Sequence, residues 1–125
     1  MNTNKDLPEK NIFKAYDIRG VVGKTLNDQI VIKIGQSIGS EALKQNQKII
    51  CVGYDGRLSS PHLFKLLSKG LLSTGIDVIN IGLVTTPMLY FSTFELKTNS
   101  GIMITGSHNP PEYNGFKIVI NEKTL

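Results

Sequence analysis

One cysteine, no tryptophan and two histidines in 125 residues leave little material for stapling or metallating a small domain. Cys51 alone cannot build a disulfide framework or a multi-cysteine zinc site, and its setting in Ile49-Ile50-Cys51-Val52 predicts a buried, reduced thiol. No apolar run approaches the ~18 residues that span a bilayer, so no membrane partner is expected. The opening MNTNKDLPEK lacks the apolar centre of a secretory signal, which makes the cytoplasm the expected compartment. Basic clusters are missing too. Lys and Arg number 14 against 10 Asp and Glu, but they are scattered and no aromatics interleave with them, which argues against nucleic acid. A net charge of +4 and 40% hydrophobic residues instead suit a folded domain with a small anionic, phosphorylated ligand.

Residues 1–10 are polar and are expected to form a mobile lead-in; residues 11–125 are long enough for one domain with its own core. Ile12–Ala15 reads as an extended segment that ends in the loop Tyr16–Gly20. The spacing of Ile30, Ile34 and Ile38 predicts a helix over about 28–44, capped by Asn27. Gly35 and Gly39 would let that helix pack closely on a sheet. Lys48–Tyr54 reads as a buried strand. Ser60 as cap and Pro61 in the first turn open a second helix, whose apolar face is Leu63, Leu66, Leu67 and Leu71 and whose end is Gly75. A strand over 76–81 follows. Thr86-Pro87 repeats the capping device into a helix reaching Glu95. Strands over 101–105 and 115–120 enclose a loop at Gly106–Pro111. Alternating strands and helices predict a layered α/β domain with a mainly parallel sheet.

Ligands of open α/β sheets bind beyond the carboxyl ends of the strands. The loops Tyr16–Gly20, Gly53–Ser60 and Thr105–Gly115 are expected there, bringing Arg19, Asp55, Arg57, Ser107, His108, Asn109 and Lys117. Guanidinium and ammonium groups among hydroxyls suit phosphate. Plainer readings stand beside this one. Asp55 can simply close a turn by bonding neighbouring amides, Lys117 can face solvent between Phe116 and Ile118, and His62 reads as a surface or partly packed residue. No nucleophile elbow surrounds Ser107 and no Walker A loop exists, so serine-hydrolase and P-loop chemistry are not expected.

Three segments, in order, resemble the signatures of the α-D-phosphohexomutases: Phe13–Gly20 (FKAYDIRG), Gly53–Arg57 (GYDGR) and Thr105–Lys117 (TGSHNPPEYNGFK). The wording is most like the bacterial phosphomannomutase/phosphoglucomutase branch, with the phosphoglucosamine mutase branch as an alternative. The resemblance implies a three-layer α/β/α domain with a mixed, mainly parallel four-stranded sheet, its antiparallel strand being GFKIVI. It implies that Ser107 carries a phosphoryl group between hexose 1-phosphate and hexose 6-phosphate through a bisphosphate. Arg19 and Lys117 are then the cations near the reacting groups, Lys117 also serving as general acid/base. His108 assists, Tyr16 touches substrate, and Asn109, Asp55 and Arg57 support the loop. Mg²⁺ is implied, held by the phosphate on Ser107 and by an aspartate run in a second domain; no D-x-D-x-D run occurs in this chain. Glucose 1,6-bisphosphate is implied as activator. The remaining domains of a four-domain parent would be partners, and this piece alone is expected to be inactive. A non-catalytic module binding phosphorylated ligands, or an interaction domain that kept only the fold, is the competing class.

Overall fold

The computed structural model describes residues 17–96, 98–106, 110, 112–121, 123 and 124. The lead-in at 1–10 and the extended segment at 12–15 lie outside them. In chain order the elements are β1 (Asp17–Val21), α1 (Asp28–Lys44), β2 (Ile49–Tyr54), α2 (Ser60–Ser73), β3 (Asp77–Leu83), α3 (Thr86–Glu95), β4 (Gly101–Ile104), β5 (Tyr113–Ile120) and β6 (Lys123–Thr124).

The four expected strands form the run β5-β4-β2-β3, and the short β1 and β6 both pair with β5 on its outer side. β2 is parallel to β3 and β4, whereas β5 runs antiparallel to β4, β1 and β6. Within the four-strand run two of the three pairings are parallel, which gives the mixed, mainly parallel α/β/α arrangement. β2 feeds β3 on one side through α2, and β3 returns past β2 to β4 through α3. Right-handed crossovers in opposite directions must place those two helices on opposite faces. The side chains agree: Ile50, Val52, Ile102, Ile104, Phe116, Ile118 and Ile120 meet α1 and α2, while Cys51 and Met103 meet Leu89 of α3. This is the period-two alternation of strands buried on both faces. Among the described residues no helix is long and apolar enough to cross a membrane.

Several local expectations shift. Segment 17–20, expected as a loop, is part of strand β1, because β5 supplies a backbone ladder for it. Asn27 does cap α1, its Oδ1 accepting from the Ile30 amide at 2.9 Å. Yet Ile30 itself is 38% exposed, and the buried stripe is Val31, Ile34, Gly35, Ile38, Gly39 and Ala42. The α1 glycines pack on α2 and its end, not on the sheet: a Cβ on Gly35 would lie 3.1 Å from the Gly70 Cα, and Gly39 faces Thr74. Both expected caps belong one residue earlier. Ser59 occupies the N-cap of α2, and Thr85 accepts from the Met88 amide at the start of α3. Gly75 ends α2 with φ +100°, as the sequence predicts.

The α1–α2 contact generates a test. A Cβ on Gly70 would sit 2.9 Å from the Gln36 amide nitrogen, so backbone has to move to admit it. Gly70→Ala should lower stability by about 1–3 kcal/mol despite alanine's better helix propensity. At Gly56, where the nearest atom is Leu83 Cδ1 at 4.0 Å, alanine should be almost neutral. Chemical denaturation of both variants checks the pair, and equal effects would contradict this packing.

Candidate functional site

The carboxyl ends of β2 and β4 lie side by side, and the residues that follow them are stitched together. The Asp55 amide donates to the Ile104 carbonyl at 2.9 Å, and the Thr105 amide donates to the Gly115 carbonyl at 2.9 Å. The Asp55 carboxylate then reaches both loops. Its Oδ1 accepts from the Arg57 amide at 3.1 Å and from the Ser60 hydroxyl at 2.8 Å. Its Oδ2 accepts from the Gly106 amide at 3.1 Å, and Arg57 Nε lies 3.6 Å from the same oxygen. Arg57 continues the connection: Nη1 donates to the Pro110 carbonyl at 2.7 Å and the Tyr113 carbonyl at 3.3 Å.

Asp55 therefore holds the stem that enters residues 107–109, and Arg57 holds the stem that leaves them. Asp55 closes its local turn and reaches across to a second loop, so the two readings of this residue coexist. Burial alone would push its carboxyl up. Hydrogen bonds from the Arg57 amide, Ser60, the Gly106 amide and Thr105 outweigh that cost and hold it below its ordinary value of 3.8.

Sequence reasoning passed over three participants. Asn114 is fully buried and donates through Nδ2 to the hydroxyls of Ser59 at 2.9 Å and Ser60 at 3.0 Å. Ser60, read as a helix cap, serves Asp55 instead. Asn114 lies in phase with the apolar Phe116, Ile118 and Ile120. A polar residue at a core-facing strand position was the available signal.

Lys117 is half-buried in β5, with Met103 and Asp17 as its neighbours across the ladder. The backbone of Arg19 is paired with Gly115; its side chain lies outside the described residues. Tyr16, Ser107, His108 and Asn109 lie outside them too. His62 is exposed and pairs with Asp28 Oδ1 at 3.1 Å. Cys51 is buried against Thr98 at 3.3 Å, and burial pushes its thiol up.

On the α3 face, a cleft of about 420 Å³ opens between Asp55 and Thr105 on one side and Leu83, Val84 and Met88 on the other. It occupies the switch point where α2 and α3 leave toward opposite faces. As for a divalent cation, among the described residues no cluster of three or more His, Cys, Asp and Glu side chains could hold one. The carboxylate oxygens of Asp55 already accept hydrogen bonds. The described residues do not by themselves fit Mg²⁺.

The depressed Asp55 carboxyl sets a pH dependence. A group whose folded value lies below its unfolded one stabilises fully above the unfolded value of 3.8, and that contribution fades as pH falls through the folded value. Asp55→Asn should cost about 1–3 kcal/mol near neutrality and progressively less as the medium is acidified below 3.8. Urea titrations of both proteins across that window measure the difference. A gap that stays constant into strong acid would contradict the assigned hydrogen bonding.

The chain's residues 10–124 match the family model described as phosphoglucomutase/phosphomannomutase, alpha/beta/alpha domain I. A phosphoglucomutase of Neisseria gonorrhoeae is 53% identical over 116 residues, covering 93% of this chain and 25% of that protein. A phosphomannomutase/phosphoglucomutase of Pseudomonas aeruginosa is 53% identical over 115 residues, covering 92% and 25%. A solved phosphoglucomutase/phosphomannomutase family protein from Burkholderia thailandensis superposes with TM-score 0.81 at 45% identity, covering 90% of this chain and 26% of that one. The chain thus spans about a quarter of the length of these relatives. By the extent of the domain-I match, this chain belongs to the phosphoglucomutase/phosphomannomutase family.

Proposed function

We propose that this chain is the phosphoserine-bearing domain of a hexose phosphomutase that interconverts hexose 1-phosphate and hexose 6-phosphate through a bisphosphate. The observation that carries the reading is the double tether at the Ser107 segment: Asp55 on Gly106, and Arg57 on Pro110 and Tyr113. Phosphoryl transfer asks mainly for in-line positioning and compensation of charge on the equatorial oxygens. A serine between two anchored stems suits the first demand, and the cations assigned to the site suit the second.

In this reading the phosphoryl group on Ser107 passes to the free hydroxyl of a hexose monophosphate. The bond from Ser107 Oγ to phosphorus breaks as the sugar oxygen forms its own; Lys117 takes the sugar's hydroxyl proton, and one proton returns to the freed serine oxygen, the same exchange running in reverse in the second transfer. The bisphosphate then turns over and returns its other phosphoryl group to Ser107. Arg19 offsets phosphate charge, His108 assists, Tyr16 contacts the sugar, and Asn109 keeps the loop in shape. Mg²⁺ would supply further charge compensation at the phosphate, with its remaining ligands in the parent's other domains. Glucose 1,6-bisphosphate would prime the serine, and the setting is cytoplasmic.

The parent protein incubated with glucose 1,6-bisphosphate and Mg²⁺ should gain one phosphoryl group, located on Ser107 by mass spectrometry and absent from Ser107→Ala. Phosphate on another residue, or none on folded protein, would overturn the mutase reading and favour a binding module. The 125-residue chain alone should show no conversion of glucose 1-phosphate to glucose 6-phosphate in a coupled assay; measurable turnover would show that its own residues suffice.

A further inference from the structure

We infer that Asn114 is a positioning residue for the Ser107 segment, acting through Ser60 and Asp55; this rests on the mutase reading for its consequence in turnover. The hydrogen-bond chain has one consistent direction. Both Nδ2 hydrogens of Asn114 are used, one on each of the Ser59 and Ser60 hydroxyls. Having accepted there, Ser60 gives its own proton to Asp55 Oδ1 at 2.8 Å. Asp55 Oδ2 receives the Gly106 amide, one residue before Ser107. The remaining Asn114 oxygen accepts the Gly115 amide at 2.9 Å, which fixes the orientation of the carboxamide. Every group in the relay is oriented by the one before it.

Two features separate this from ordinary core packing. First, Asn114 occupies a position in phase with Phe116, Ile118 and Ile120, where an apolar side chain would be less costly to bury. A polar side chain bonded through every hydrogen it carries at a buried position specifies one geometry, which is what a transferring oxygen requires. Second, Ser59 sits at the N-cap of α2 and makes no side-chain cap bond. Its hydroxyl receives Asn114 instead. The commonest local use of such a serine gives way to a contact 55 positions distant in sequence.

The test uses amide exchange in this chain together with phosphorylation of the parent. In Asn114→Ala the Gly106 amide should exchange faster by roughly tenfold or more relative to the Cys51 amide, which reports the sheet independently. Ser60→Ala, a milder change, should do the same and decides the matter where Asn114→Ala fails to fold. In the parent, either variant should slow phosphorylation of Ser107 at saturating bisphosphate by about tenfold, with apparent affinity little changed. The double variant should be no slower than the worse single one. Gly106 exchange that stays constant, or that rises only in step with Cys51, would overturn the positioning role. A wild-type parent that takes no phosphate defeats the mutase reading instead, and the exchange ratio then decides the positioning role alone.

Discussion

A half-buried carboxylate has to recover in hydrogen bonds what it loses in hydration, and Asp55 does so by recruiting from two loops at once. The rest of the site follows from that requirement. The Arg57 amide and Ser60 come from β2's exit and the start of α2, whereas Gly106 comes from the loop that follows β4. Neither loop can satisfy the carboxylate without the other. The side chain of Arg57 lies beside the same oxygen, and its guanidinium extends the tie to Pro110 and Tyr113. One ion pair thus sits between the two stems of the segment that includes Ser107.

The fold brings these partners together through connection handedness. Crossovers of one hand in opposite directions put α2 and α3 on opposite faces and leave the ends of β2, β3 and β4 at a common edge. β5 then returns antiparallel beside β4, so the segment between them must leave and re-enter the sheet at that same edge. Asn114, near the start of β5, meets the first turn of α2 for this reason. The apolar alternation that seats β5 also determines that Asn114 faces inward.

Parts of this arrangement are legible in the sequence. The turn chemistry of Asn27 and Gly75, the bounds of α1, and the alternation of strands with helices are local or periodic signals, and each survives in the structure. Other signals were displaced by tertiary contacts. Ile30 fits a four-residue spacing, but the face of α1 is chosen by where α2 can approach, and that is at Gly35. Ser60 has the look of a cap beside Pro61, yet it lies one residue inside the helix, where its oxygen accepts from Asn114 and its proton goes to Asp55. Segment 17–20 reads as a loop because a strand with so little apolar character depends on its partner β5 for definition.

By itself the sequence determined the fold class, the order of the elements from α1 to β5, the family resemblance and the chemical types gathered at the sheet's edge. These depend on short-range periodicity and on motifs that are contiguous in the chain. Only the tertiary structure decided which of those residues meet: that Asp55 binds Gly106, that Arg57 grips Pro110 and Tyr113, and that Asn114 joins Asp55 through Ser60. Such contacts span about fifty residues of intervening chain, a range at which composition and spacing carry no directional information. A hydrogen bond is set by angle and distance, and both come into being only when the sheet has closed.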